Sequence, residues 1–121
     1  MKTLKFLNIA LFLFALSLNS IAQTQDPGNT TSPVKTESFK VWGKCGMCKT
    51  RIENAVLAEG ATSASWNMKS QILKVTYDSS KTGKDALCRK LASVGHDTEK
   101  YKAPDDVYAK LPGCCHYERS K

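Results

Sequence analysis

The sequence predicts an α+β domain of order strand, helix, strand, strand, helix, strand, followed by a C-terminal tail. Two stretches carry apolar residues at helical spacing and each stops at a glycine; two neighbouring stretches alternate and read as a hairpin; one further alternating stretch precedes the first helix. With 121 residues, 18 Lys and Arg against 11 Asp and Glu, and 41% hydrophobic residues, the ceiling is one modest domain.

The first 22 residues stand outside that domain. Lys2 and Lys5 precede an unbroken apolar run from Ile9 to Leu16, and Ser20-Ile21-Ala22 follows with small residues at its ends, the pattern of a secretory signal peptide cleaved before Gln23. The run is too short to span a bilayer, and no later segment replaces it, so no membrane span is expected after cleavage. Removing these 22 residues, Lys2 and Lys5 among them, leaves 99 residues with 16 cations against 11 acids, a net charge of +5. The cations are scattered among acids instead of forming a stripe, which argues against a nucleic-acid partner. The expected location is periplasmic or secreted.

Residues 23–35 read as a disordered tether, because Gln23 to Pro33 contains nothing apolar to bury. From Ser38 to Trp42, Phe39 and Val41 share a face, a half-buried strand that Gly43 ends. Ile52, Ala55 and Val56 then recur at helical spacing before Gly60, placing a helix from about Met47 to Glu59. Ala64, Trp66 and Met68 alternate, as do Leu73, Val75 and Tyr77, with Lys69-Ser70 as the turn between them. Leu87, Leu91 and Val94 share one face of a second helix, which Gly95 ends. Asp97 to Lys102 completes the set as a mostly polar edge strand. This order is the split βαβ arrangement of a ferredoxin-like βαββαβ sandwich over residues 36–103. Its core is expected to hold Phe39, Val41, Ile52, Val56, Trp66, Leu73, Val75, Leu87, Leu91 and Val94.

Residues 104–121 form a Cys- and His-containing tail. Pro104-Asp105-Asp106 suits a helix start and Pro112-Gly113 a break, with tyrosines including Tyr108 and Tyr117 folding the tail onto the domain. Little of the expected core lies there, so removing Pro112 to Lys121 is expected to leave the fold intact.

All five cysteines (45, 48, 88, 114 and 115) follow the signal peptide, and an odd number cannot be fully paired. Cys45-Gly46-Met47-Cys48 falls at the N-terminus of the first helix, where two sulfurs lie within reach of each other and of unpaired backbone N–H groups. Lys44, Lys49 and Arg51 add positive charge. A pair of soft thiolates in that setting suits Cu(I), Zn(II) or another thiophilic ion; the same arrangement also serves thiol–disulfide exchange.

Between about Glu37 and Tyr101 the chain resembles the heavy-metal-associated domain family. The resemblance rests on Cys45-x-x-Cys48, Val41-x-Gly43, Ile52-Glu53, Val75-x-Tyr77-Asp78, and Leu87, Leu91 and Gly95. The family loop usually reads Gly-Met-x-Cys-x-x-Cys; here Gly43-Lys44-Cys45 is one residue shorter, and Met47 lies between the cysteines. His96 stands where the family usually has an aromatic residue or Lys. Likeness to periplasmic mercury-binding proteins and copper chaperones implies a non-enzymatic protein that carries or sequesters a soft ion, Cu(I) first, with Hg(II) and Zn(II) as alternatives. It also implies a metal-transporting membrane protein as partner.

The alternative function is a periplasmic thiol–disulfide oxidoreductase using the same dithiol. Against it, a thioredoxin-like domain sets a cis-proline beside the dithiol, and no proline lies between Pro33 and Pro104. Cys88, on an apolar helix, reads as a small hydrophobe. His96 is open between an exposed turn residue and a neighbour of the metal loop. Cys114-Cys115-His116 reads as additional metal ligands, joining Cys45 and Cys48 or forming a second site; the competing reading is disulfide pairing in an oxidising compartment.

Overall fold

The computed structural model describes residues 33–121; the expected signal peptide and the tether up to residue 32 lie outside the described residues. The chain runs β1 (Val34–Lys40), α1 (Gly46–Ala58), β2 (Ala61–Trp66), β3 (Ile72–Asp78), α2 (Lys84–Ser93) and α3 (Asp105–Ala109), then a 3-10 turn (Gly113–Cys115). The sheet is antiparallel with β3 between β1 and β2. Leu73 pairs with Phe39 on one side and Trp66 on the other, which aligns the apolar residues of three strands on one face. Against that face α1 lays Ile52, Ala55 and Val56, and α2 lays Leu87 and Leu91, in one continuous core. This is the ferredoxin-like α+β fold. Among the described residues no helix is long and apolar enough to cross a membrane.

Several details differ from the sequence reading. β1 begins at Val34, inside the expected tether, and pairs with β3 from Val34 opposite Asp78 onward. Its first three residues are exposed, so they leave no alternation to detect. Met68 lies in the turn instead of β2, because the Asn67 side chain accepts the backbone N–H groups of Lys69 and Ser70, both at 2.9 Å, and winds the chain into a turn.

The expected fourth strand is reduced to one bridge, Val41 opposite Thr98. The Thr98 hydroxyl accepts the N–H groups of Lys100 at 3.2 Å and Tyr101 at 3.0 Å, while the Thr98 N–H donates to the Tyr101 carbonyl at 2.8 Å. Those local bonds use the groups a longer strand would have paired.

At the end of α2, Gly95 takes φ +106°, with its N–H bonded to the Ala92 carbonyl and the His96 N–H to the Leu91 carbonyl. This Schellman closure turns the chain inward. A Cβ at Gly95 would also sit 2.9 Å from Leu111. That contact docks the tail, and the tail is part of the core: Leu111, Cys115 and Tyr117 are buried in the same cluster as Ile52 and Leu91. Tyr117 donates its hydroxyl proton to the Gly95 carbonyl at 2.6 Å and accepts the Asp97 N–H at 2.9 Å. The expectation that little of the core lies beyond Pro112 is therefore overturned. Of the ten residues expected in the core, Val94 alone is only half-buried.

Candidate metal centre

The loop between β1 and α1 is held from two sides. Gly43 lies so close to Trp66 that a Cβ there would fall 2.8 Å from the indole ring, and the indole Nε1–H of Trp66 donates to the Val41 carbonyl at 3.0 Å. From the hairpin turn, the Gln71 side-chain amide donates to the Gly43 carbonyl at 2.8 Å. The loop thus delivers Cys45 to the N-cap position of α1 and Cys48 to its first turn.

The Cys45 and Cys48 sulfurs are 3.6 Å apart. Cys115, from the 3-10 turn, places its sulfur 3.4 Å from that of Cys45, and the three sulfurs all lie within 4.8 Å of one another. Every cysteine is a free thiol, and these spacings are far beyond the roughly 2.05 Å of a disulfide. Arg51, one turn along α1 from Cys48, donates from Nη1 to the Cys115 sulfur at 3.3 Å.

The two helix cysteines titrate in opposite directions. Burial raises Cys45, but the Cys48 backbone N–H and the thiols of Cys115, Cys48 and Cys114 outweigh it and bring Cys45 down to about 7. Cys48 is fully buried, and burial pushes it up to about 12, the neighbouring thiols of Cys115 and Cys45 adding to the rise. The resting pair is therefore one partly ionised thiol beside one held protonated.

The structure brings together Cys45, Cys48 and Cys115 of the five expected ligands. Cys114 is exposed, its sulfur 3.4 Å from the Met47 sulfur and 3.9 Å from that of Cys115. His116 is exposed and tilts against Tyr108, ring centroids 5.2 Å apart, away from the three-sulfur group. The 3-10 turn decides this division, since only the middle of three consecutive residues points inward. Lys49 does not serve the thiols: it pairs with Glu53 and donates to the Trp66 carbonyl at 2.9 Å. Cys88 is buried on α2, outside the three-sulfur group, and burial raises its thiol.

His96 is fully buried, which removes the exposed-turn reading. Nδ1 is 2.8 Å from the Trp42 carbonyl and so carries the proton, while Nε2 has no protein partner. Burial brings its pKa down to about 4, so the ring is neutral at ordinary pH. The imidazole stacks on Tyr117, centroids 5.5 Å apart, and packs the tail beside the loop without joining the sulfurs.

Sequence reasoning missed the strap that fixes Cys115. Asp97, fully buried, receives a two-pronged ion pair from Arg119 at 2.8 and 2.9 Å and the Ala103 N–H at 2.8 Å, while Tyr108 donates to the Tyr117 carbonyl at 2.6 Å. No spacing in the sequence announces these contacts; an acid and an arginine 22 residues apart carry no local signal.

No family model matches the sequence, and no curated protein matches it. Solved structures do. A structure described as the CopZ metallochaperone is 32% identical, with 53% of this chain covering 98% of that one at a TM-score of 0.51. The water-soluble region of the P-type ATPase CopA from Bacillus subtilis is 30% identical, covering 55% of this chain and 46% of that one at a TM-score of 0.52. A putative copper-ion-binding protein from Bacillus anthracis, 22% identical over 57% of this chain and all of that one, shares the fold at a TM-score of 0.53. Nearly the whole length of CopZ is thus matched, by a chain that carries its own Cys-x-x-Cys at the head of the first helix; the chain belongs to the heavy-metal-associated domain family.

Proposed function

We propose that this protein binds a soft metal ion, Cu(I) first and Hg(II) or Zn(II) as alternatives, through Cys45 and Cys48, and carries or sequesters it outside the cytoplasm. The observation that carries this reading is the Cys45–Cys48 pair: two unbonded sulfurs 3.6 Å apart at a helix N-terminus. Soft thiolates prefer such ions, and the partial positive charge of the helix end offsets theirs. Cys45 meets the ion already partly ionised near neutral pH; Cys48 releases its proton as the metal binds. The likeness to a metallochaperone and to part of a P-type ATPase supports cargo binding and a metal-transporting membrane protein as partner. Lys2, Lys5 and the apolar run from Ile9 to Leu16 support export to the periplasm or beyond. In this role the protein is a binder, not a catalyst.

The opposed titration of Cys45 and Cys48 favours a second reading, a dithiol oxidoreductase, since a low-pKa thiol beside a buried one is also the pairing for disulfide exchange. A competition titration with Cu(I) under reducing conditions separates the two. Replacing both Cys45 and Cys48 with Ser abolishes tight binding if they hold the metal; unchanged affinity in that variant, together with disulfide reductase turnover by the parent, would establish the redox reading instead.

A further inference from the structure

We infer that Cys115 supplies a third thiolate to the ion, so that the C-terminal strap closes a three-sulfur site and metal leaves only by displacing Cys115. This rests on the reading of Cys45 and Cys48 as metal ligands.

Distances favour a triangle. With metal–sulfur bonds of about 2.3 Å, a trigonal ion sets its sulfurs about 4 Å apart and a linear one about 4.6 Å apart. The Cys45 sulfur lies 3.6 Å from Cys48 and 3.4 Å from Cys115, so three-fold coordination needs the smaller adjustment. Nor is Cys115 a loose neighbour. It is fully buried, with Leu111 docked on Gly95 before it and Tyr117 bonded to Gly95 and Asp97 after it.

Arg51 is the independent observation. Its guanidinium donates to the Cys115 sulfur, a weak acceptor while protonated. With Cys115 ionised and bound to the metal, the same contact becomes a charge-assisted bond that offsets the surplus negative charge of three thiolates on a monovalent ion.

The consequence concerns release. An ion held by two sulfurs leaves the third position open to a partner's thiolate. Here Cys115 occupies that position at the high effective concentration of a tethered group. For transfer, the metal–sulfur bond to Cys115 breaks as one to the partner's thiol forms; the partner's proton passes to solvent, and Cys115 takes up a proton beside Arg51. No oxidation state changes. The strap therefore biases the protein toward retention.

X-ray absorption of the Cu(I)-loaded full chain tests this without any variant: three sulfurs per copper are expected, and two would overturn the inference while leaving the Cys45–Cys48 reading in place. Failure of the parent to bind Cu(I) at all would remove that underlying reading. In Cys115→Ser two sulfurs remain and Cu(I) passes to bathocuproine disulfonate about tenfold faster or more, whereas Cys114→Ser keeps three sulfurs and the parent rate. Three sulfurs in Cys115→Ser, or an unchanged transfer rate, would also overturn it.

Discussion

Cys45 and Cys48 are three residues apart and yet chemically unlike, because one sits at the helix entrance and the other is sealed beneath it. Cys45, lowered to about 7, gains thiolate character as pH rises through neutrality; Cys48, raised to about 12, stays protonated there. In the reduced, metal-free protein, iodoacetamide labelling followed by peptide mass spectrometry should give Cys45 a midpoint near pH 7 and leave Cys48 almost unlabelled. Equal labelling of both with midpoints near the free-cysteine value would show that the two thiols do not differ. Gly43 offers a second test at this scale. Since its Cβ position is 2.8 Å from the Trp66 ring and 3.2 Å from the Cys48 Cβ, Gly43→Ala must displace either the indole or the metal loop. Overpacking of this kind costs about 1–3 kcal/mol, to be read in urea unfolding, and should weaken Cu(I) affinity in parallel. A variant with the parent's stability and affinity would show that the loop yields freely.

Among the elements, the strap from α3 to Arg119 is where sequence and structure part. The faces of α1, α2 and β3 were legible because Ile52 and Val56, Leu87 and Leu91, and Leu73 and Val75 each repeat with their element's own period. The strap has no period to read, since Leu111, Cys115 and Tyr117 are anchored singly, by contacts to distant residues. Asp97 is the centre of that anchoring. Burial alone would raise its carboxyl, but Arg119 and the N–H groups of Ala103 and Ser120 outweigh burial and hold it below the usual carboxylate range. A folded-state pKa below the unfolded value stabilises fully above the unfolded value of about 3.9 and loses that stability as pH falls through the folded one. Asp97→Asn should thus cost roughly 3 kcal/mol at pH 7, since it leaves Arg119 without its buried partner. It should also reduce the loss of urea stability between neutral pH and about pH 3. The same acid-induced loss in parent and variant would show that Asp97 does not hold the strap. Deleting residues 112–121 should likewise lower the urea midpoint, because it removes Cys115 and Tyr117 from the core. An unchanged midpoint would restore the view of the tail as an appendage.

For the whole molecule, the fold and the first two sulfurs could be read from the chain, since Cys-x-x-Cys ahead of an amphipathic helix places itself. The choice among Cys114, Cys115 and His116 could not, because it depends on a 3-10 turn whose orientation is set by Gly95, Asp97 and Tyr117. Three sulfurs gathered beside a guanidinium make either a metal site or, under oxidation, a place for a disulfide. Native mass spectrometry of the protein isolated anaerobically from its own host decides between these outcomes in one spectrum. A chain carrying one soft metal ion with every cysteine reduced is expected. A metal-free chain lighter by two hydrogens for each disulfide would contradict the metal reading.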